Sequence, residues 1–246
     1  MVEQTTRERV DAFWSTTLGA SVGELHTPGV RVRPNRNERE SWRGVYVFGL
    51  EGATVNVPIE MVDLVSSAVV GHDAESLMEP KTWQEILGDQ ARSAWGPVKH
   101  YYRDRLDDLD RMAAGRRLNP RDAEAIGSLR SALPFHEWLV TGFTAQTAML
   151  FGIFEGDKLV AAANLTPGPD SATDVGFVIH PEARGRGYGL QIAALAARQA
   201  ILMHGIARYR ALVSSPSTMA IADKLGFQEY GCNVVVYLND SLTMVA

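Results

Sequence analysis

Residues 177–190 read FVIHPEARGRGYGL, which joins an apolar strand, a glycine-rich turn and a helix start in one unbroken run. The glycines at 185, 187 and 189 carry no Cβ, so the main chain can turn sharply there and bring its N–H groups close to a ligand. A helix that starts straight after the turn adds unpaired N–H donors and the positive end of its dipole. Together these features favour a phosphate or pyrophosphate over a neutral group.

Spacing separates this run from other phosphate-binding signatures. A P-loop needs Gly-Lys-Ser/Thr, and no such tripeptide follows. A dinucleotide fingerprint needs a glycine three residues after its second one. That place holds Leu190 if Gly185 and Gly187 come first, and Ile192 if Gly187 and Gly189 do. The run does fit Arg184-x-x-Gly187-x-Gly189 after an apolar strand that ends in His180-Pro181. It resembles the coenzyme-A-binding motif of the GNAT superfamily, the acyl-CoA-dependent N-acyltransferases. A tight turn without a ligand is the alternative, and the downstream order speaks against it. A helix is predicted over 190–204, with Leu190, Ala193, Ala194, Ala197 and Ile201 on one face. A strand over 209–213, a short helix over 217–224 ending in Leu225-Gly226-Phe227, and a last strand over 233–238 complete the family's order.

The resemblance covers residues 114–246 and implies an α/β (α+β) fold, the GNAT fold, with a mixed, mostly antiparallel central sheet flanked by helices. Upstream of the cradle, the corresponding elements are helices over 120–131 and 135–140, a hairpin of 148–154 with 159–165, a loop at 166–170 and a strand over 174–179. Carried over residue by residue, the main chain of Phe177, Val178 and Ile179 would pair with the pantetheine amides. Arg184, Gly185, Arg186, Gly187, Tyr188 and Gly189 would supply N–H groups to the pyrophosphate. The side chains of Arg184 and Arg186 offset phosphate charge in that reading, with a solvent-facing surface arginine as the alternative for Arg186. Ser215 stands where the family has an asparagine and is counted with the coenzyme contacts.

The implied reaction is N-acetylation with acetyl-CoA as donor. A primary amine, on a small molecule or on a protein or peptide, would attack the thioester directly in a ternary complex. A base must take a proton from the amine, and an acid or water must meet the departing sulfur. Relatives place a carboxylate on the strand before the cradle. Here Thr173 holds that place with Asp174 beside it, so these two are the catalytic candidates. Where the family has a tyrosine near the sulfur, this chain has Ala222, which leaves water or a hydroxyl from Tyr188, Ser217 or Tyr230. The rival reading is a non-catalytic acyl-CoA-binding or protein-interaction module.

Composition bounds the remaining classes. A chain of 246 residues can bury a sizeable core. Its segment 107–120 mixes charge with helix breakers and is read as a connection, giving an N-terminal α/β domain over 1–113 and the GNAT domain over 114–246. Residues 1–113 carry 13 basic and 18 acidic side chains, against 11 of each in 114–246. No clustered basic surface is present for a nucleic-acid partner. No apolar run reaches membrane-spanning length, and the charged start lacks the apolar core of a signal peptide. The lone cysteine, Cys232, rules out an internal disulfide and points to the cytoplasm. Six scattered histidines and one cysteine lack ligand spacing, so no metal is expected; His136-Glu137 opens like a zinc-protease helix but lacks its second histidine. No Gly-x-Ser-x-Gly elbow occurs, which excludes that class of serine hydrolase.

In the N-terminal part, a helix is predicted over 6–18, strands over 29–33, 44–50 and 53–57, a helix over 59–69, and a strand over 95–102. Residues 47–57 echo residues 150–160, each reading as a hairpin with glycine and an acidic residue near its turn. The echo is either chance or the trace of a duplication. In the second case the N-terminal part is a degenerate GNAT-like domain without its own glycine cradle.

Overall fold

The computed structural model describes residues 2–35, 44–143, 149–167 and 172–239. The elements are α1 (Gln4–Leu18), α2 (Val22–Leu25), β1 (Val30–Pro34), β2 (Gly44–Gly49), β3 (Ala53–Val57), α3 (Val62–Ala68), α4 (Pro80–Leu87) and β4 (Ala91–Arg103), then α5 (Leu109–Met112), β5 (Arg116–Arg117), α6 (Ala123–Ser131) and α7 (Phe135–Val140). They continue as β6 (Met149–Glu155), β7 (Lys158–Pro167), β8 (Thr173–Ile179), α8 (Tyr188–His204), β9 (Ala207–Leu212), α9 (Pro216–Lys224) and β10 (Gln228–Leu238). Residue 148 of the expected hairpin, and residues 168–170 of the expected loop, lie outside the described residues.

Most expected elements form with ends moved by a few residues. The helix expected over 59–69 opens with a tight turn of 3-10 helix, Ile59–Met61, before α3. The segment read as a connection carries α5 and β5, and Leu109 within it is fully buried.

Contacts divide the chain into two compact units, each discontinuous in sequence. One comprises Met1–Thr6, Tyr101–Arg210 and Pro216–Glu229, and the other Arg7–His100, Ala211–Ser215 and Tyr230–Ala246. In the first unit the strand order is β9-β8-β7-β6-β5, antiparallel from β5 to β8 and parallel between β8 and β9. Gly156, at φ 57°, closes the turn between β6 and β7, where a side chain would be strained. One core packs α6 and α7 on this sheet through Leu129, Leu133, Trp138, Phe143, Ala162 and Val178. Helix α8 packs against β7 and β8, and the buried face it presents is built of Ile192, Ala193, Ala196, Ala197 and Ala200. Small side chains on such a face let a helix lie close to a sheet.

In the second unit the order is β1-β3-β2-β10-β4, with β1 parallel to β3 and β2 antiparallel to both β3 and β10. β3 is buried at every position, Thr54 and Asn56 included, as suits an interior strand covered on both faces. The core of this unit gathers Val45, Val47, Val55, Met61, Val65, Leu77, Trp83 and Val234. The Trp83 indole N–H donates to the Leu77 carbonyl at 2.8 Å, which satisfies the one polar group that this large side chain buries.

Candidate active site

β8 is paired with β7 along its whole length, from Thr173 opposite Pro167 to Ile179 opposite Ala161. On its other side, the parallel pairing with β9 joins Thr173, Asp174 and Val175 to Ala207, Arg208 and Tyr209, and ends there. Two hydrogen bonds show which main-chain groups lose a partner beyond that point. The His180 N–H donates to Val160 C=O at 2.9 Å, so the even residues of β8 direct their main chain to β7. The Thr173 N–H donates to Ile206 C=O at 3.4 Å, so the odd residues direct theirs to β9. Phe177 and Ile179 thus point N–H and C=O into the opening past the last β8–β9 pair. Val178 turns its main chain to β7 and its side chain into the core with Trp138 and Phe143.

The strand runs on into the glycine turn. Pro181–Ala183 forms one turn of 3-10 helix, and the His180 ring accepts the Glu182 N–H at 3.3 Å. Gly185 and Gly187 follow at φ 76° and 87°, in the left-handed region that glycine occupies without strain. No heavy atom lies within 4 Å of where a Cβ would stand at either residue. Gly187 is the N-cap of α8, and no side chain caps that end. Among the described residues, the N–H groups of residues 185–189 find no main-chain acceptor. Gly189 has a different role. A Cβ there would stand 3.1 Å from Ile221 and 3.5 Å from Phe177, so its glycine lets the first turn of α8 close on α9 and β8.

Two carboxylates brace the arginines of the turn. Glu137 on α7 meets Arg184 at 2.6 Å, and Glu155 at the end of β6 meets Arg186 at 2.5 Å. Glu155 also accepts the Tyr188 hydroxyl, and the Arg186 guanidinium lies 5.4 Å from the centre of the Tyr188 ring. The Tyr188 bond, aided by Arg186, holds Glu155 below the usual carboxylate range and pushes the Tyr188 phenol up. Both arginines remain about half exposed, at 50% and 52%.

The two catalytic candidates face opposite sides of the sheet. Thr173 is 2% exposed. Asp174 pairs with Arg208 through both of its oxygens, at 2.7 Å for Nη2, and with Arg210 at 3.2 Å. Burial works against the Arg208 charge, but the Asp174 carboxylate outweighs it and raises the guanidinium pKa. A carboxylate bridging two guanidinium groups directs its lone pairs at arginine rather than at an incoming amine.

Of the other expected residues, Ser215 falls in the second unit, immediately before α9. Ala222 is fully buried, with its carbonyl accepting the Phe227 N–H at 3.0 Å. The Tyr230 hydroxyl, in the second unit, donates to Asp11 at 2.6 Å, and Ser217 is exposed on α9. Tyr209 was not singled out from sequence. It stands at the last position of β9 that pairs with β8, stacks on Phe177 with ring centres 6.0 Å apart, and donates its hydroxyl to Thr218 C=O at 3.1 Å. Burial raises its phenol pKa. Glu137, Glu155, Arg208 and Arg210 were likewise missed, because their partners lie 31–47 residues away and no local pattern joins them.

Among the described residues, no cluster of His, Cys, Asp and Glu has the makings of a metal site, and no helix is long and apolar enough to cross a membrane. The model of the Acetyltransferase (GNAT) family matches residues 84–227, more than half of the chain. Among solved structures, a GNAT-family acetyltransferase of Colwellia psychrerythraea is similar at 12% identity with a TM-score of 0.50, over 81% of this chain and 82% of that one. A GNAT-family protein of Novosphingobium aromaticivorans gives 16% identity and a TM-score of 0.47 over 60% of this chain and 66% of that one. A GCN5-related N-acetyltransferase of Kribbella flavida gives 18% and 0.45 over 66% and 65%. The chain thus spans just under two thirds of the length of the last two. At such identities the likeness is one of fold, and no curated protein matches the chain. From the strand, turn and helix that form the cradle, and from the match over residues 84–227, the chain belongs to the GNAT acetyltransferase family.

Proposed function

We propose that the chain transfers an acetyl group from acetyl-CoA to a primary amine, by direct attack within a ternary complex. The observation that carries this reading is the opening between β8 and β9, which leads along a single strand into the glycine turn. Phe177 and Ile179 offer unpaired main-chain groups at amide spacing, matched to the amides of a pantetheine arm. The N–H groups of residues 185–189, at the positive end of α8, are matched to a pyrophosphate, and Arg184 and Arg186 supply counter-charge.

In the reaction, the amine nitrogen bonds to the thioester carbon, the C–S bond breaks and coenzyme A leaves as thiolate. A thiol of pKa about 8.5 leaves without a strong acid. Ala222 has no hydroxyl to give, and Tyr188 already donates to Glu155. Water therefore meets the sulfur. Asp174 is occupied by Arg208 and Arg210, so water also carries the amine proton away, and Asp174 orients the two arginines. Ala222 equally favours a second reading, in which the chain binds acyl-CoA without turning it over.

Thiol release from acetyl-CoA, followed with a panel of small amines and lysine peptides, separates the two. The transfer reading expects release that depends on an added amine. Tight acetyl-CoA binding with no release across the panel would favour the binding module.

A further inference from the structure

Side chains alternate between the two faces of β8 and β9, so the opening between these strands has two different surroundings. On one face Phe177 stacks on Tyr209, and the Tyr209 ring packs also against Tyr101 and Phe227, with ring centres 6.4 and 5.6 Å away. Tyr209 and Phe227 are buried, and Ile221 on α9 closes on the first turn of α8 nearby. This face is filled by packed rings, which leaves the opposite face to an acceptor.

That face is polar. Asp174 and Arg208 stand on it across from one another, in register. Arg210 shares their face and follows Tyr209, the last residue of β9 that pairs with β8, so it stands where the opening begins. The Thr141 carbonyl lies over Gly176, so the loop after α7 bounds the same face on the β8 side. Asp174 gives both oxygens to Arg208 and one to Arg210, the latter at 3.2 Å. Arg208 is the enclosed partner, with a side chain 11% exposed that also meets the Tyr102 hydroxyl. Arg210 is the open one at 42%, and among the described residues Asp174 is its one ion-pair partner. Two guanidinium groups against one carboxylate leave a net positive charge. A guanidinium has five N–H donors, so one contact to Asp174 leaves most of those on Arg210 for another acceptor.

We propose that the amine acceptor also carries a carboxylate, as an amino acid does, and that Arg210 binds this carboxylate while the amine faces the thioester. This rests on the acyl-transfer reading and narrows its acceptor. The planar guanidinium presents paired N–H groups to a carboxylate, which fixes direction as well as attraction. Asp174 is a positioning residue in this scheme, because it holds the guanidinium beside the opening.

The test follows thiol release from acetyl-CoA with alanine, phenylalanine and β-alanine, each beside its carboxamide. In at least one pair the acid is expected to exceed the amide at least tenfold in kcat/KM, with the difference carried by KM. Arg210→Gln should bring that ratio to about one, and Arg210→Lys, which keeps the charge without the paired N–H groups, should lower it by a smaller factor. A role confined to pairing with Asp174 would not move the ratio. Acetyl-CoA titration and melting curves show that each variant keeps its cradle and fold, and should Arg210→Gln not fold, the ratio in Arg210→Lys decides. Ligand-observed NMR with coenzyme A present, comparing N-acetylalanine with its carboxamide, reads the same site without turnover. Binding of the acid that Arg210→Gln abolishes, with no thiol release from any amine, supports the carboxylate site and overturns the transfer reading instead. No preference for the acid in either measurement, or a ratio unchanged in the variants, overturns the proposal. Equal losses with acid and amide in Arg210→Gln also overturn it, because Arg210 would then act in the chemistry rather than in recognition.

Discussion

At Gly187 the main chain sits at φ 87°, with open space where a side chain would go, so any cost of a substitution there is conformational rather than a clash. A non-glycine residue held in this region costs about 1–3 kcal/mol, most for a β-branched one. Gly187→Val is therefore expected to lower the unfolding free energy by about that amount and to weaken acetyl-CoA binding at least tenfold. Gly187→Asn, which tolerates the left-handed region better, should keep more of both. Denaturant melts and calorimetric titration of the two variants check this. Asp122 gives a second test at this scale. It accepts two hydrogen bonds from Arg116, at 2.9 and 2.6 Å, and the Asn119 N–H at 2.8 Å, and these hold its carboxyl down at about 2. A carboxylate lowered on folding contributes stability that is full above its unfolded value, about 3.9, and is lost as pH falls toward the folded one. Asp122→Asn should thus be less stable than the parent at pH 7, with the difference closing between about pH 5 and pH 2, as read from urea midpoints. The glycines and arginines of the cradle were legible in sequence because they sit within six residues. The carboxylates that brace them, Glu137 and Glu155, were not, because that pairing is made by the fold.

Strand β8 shows what becomes legible only at the level of an element. Sequence marks it as apolar and places it before the cradle, and so groups Phe177, Val178 and Ile179 as equals. Register divides them, because it depends on β7 and β9, which lie elsewhere in the chain. The division has a measurable consequence in adjacent residues. Ile179→Pro removes an N–H that faces the opening, so it should weaken coenzyme binding while sparing the sheet. Val178→Pro removes an N–H bonded to β7 and leaves a buried carbonyl without its donor, at a cost of about 1–3 kcal/mol from that group alone. Melting curves and acetyl-CoA titrations of both variants would separate the effects. Equal stability and equal affinity in the pair would contradict the register. The segment 107–120 failed to read as structure for a related reason. Its charges and breakers signal a loop, but Leu109 is buried in α5, which packs on α8, and β5 pairs with β6 at Arg116 and Arg117.

For the whole molecule, the two units are woven from non-adjacent stretches of chain, so a cut at residue 113 passes through the first of them. It would remove α5 and Arg103, whose guanidinium donates to the carbonyls of Leu225 and Asp107. A chain of residues 114–246 alone is expected to lack a sharp melting transition, and a cooperative melt of that fragment would contradict this dependence. The charges and helix breakers over 107–120, which suggested the division, cannot register a strand such as β4 that contributes to both units. The opening along β8 and the glycine cradle are expected to hold an acyl-CoA together. A ligand bound only by the folded state stabilises it by about 2.7 kcal/mol at 100 times its dissociation constant. Calorimetric titration of the full chain with acetyl-CoA, and in parallel with NADH, reads this binding out. One acetyl-CoA should bind per chain, far more tightly than NADH; absence of acetyl-CoA binding, or tighter binding of NADH, would contradict the account.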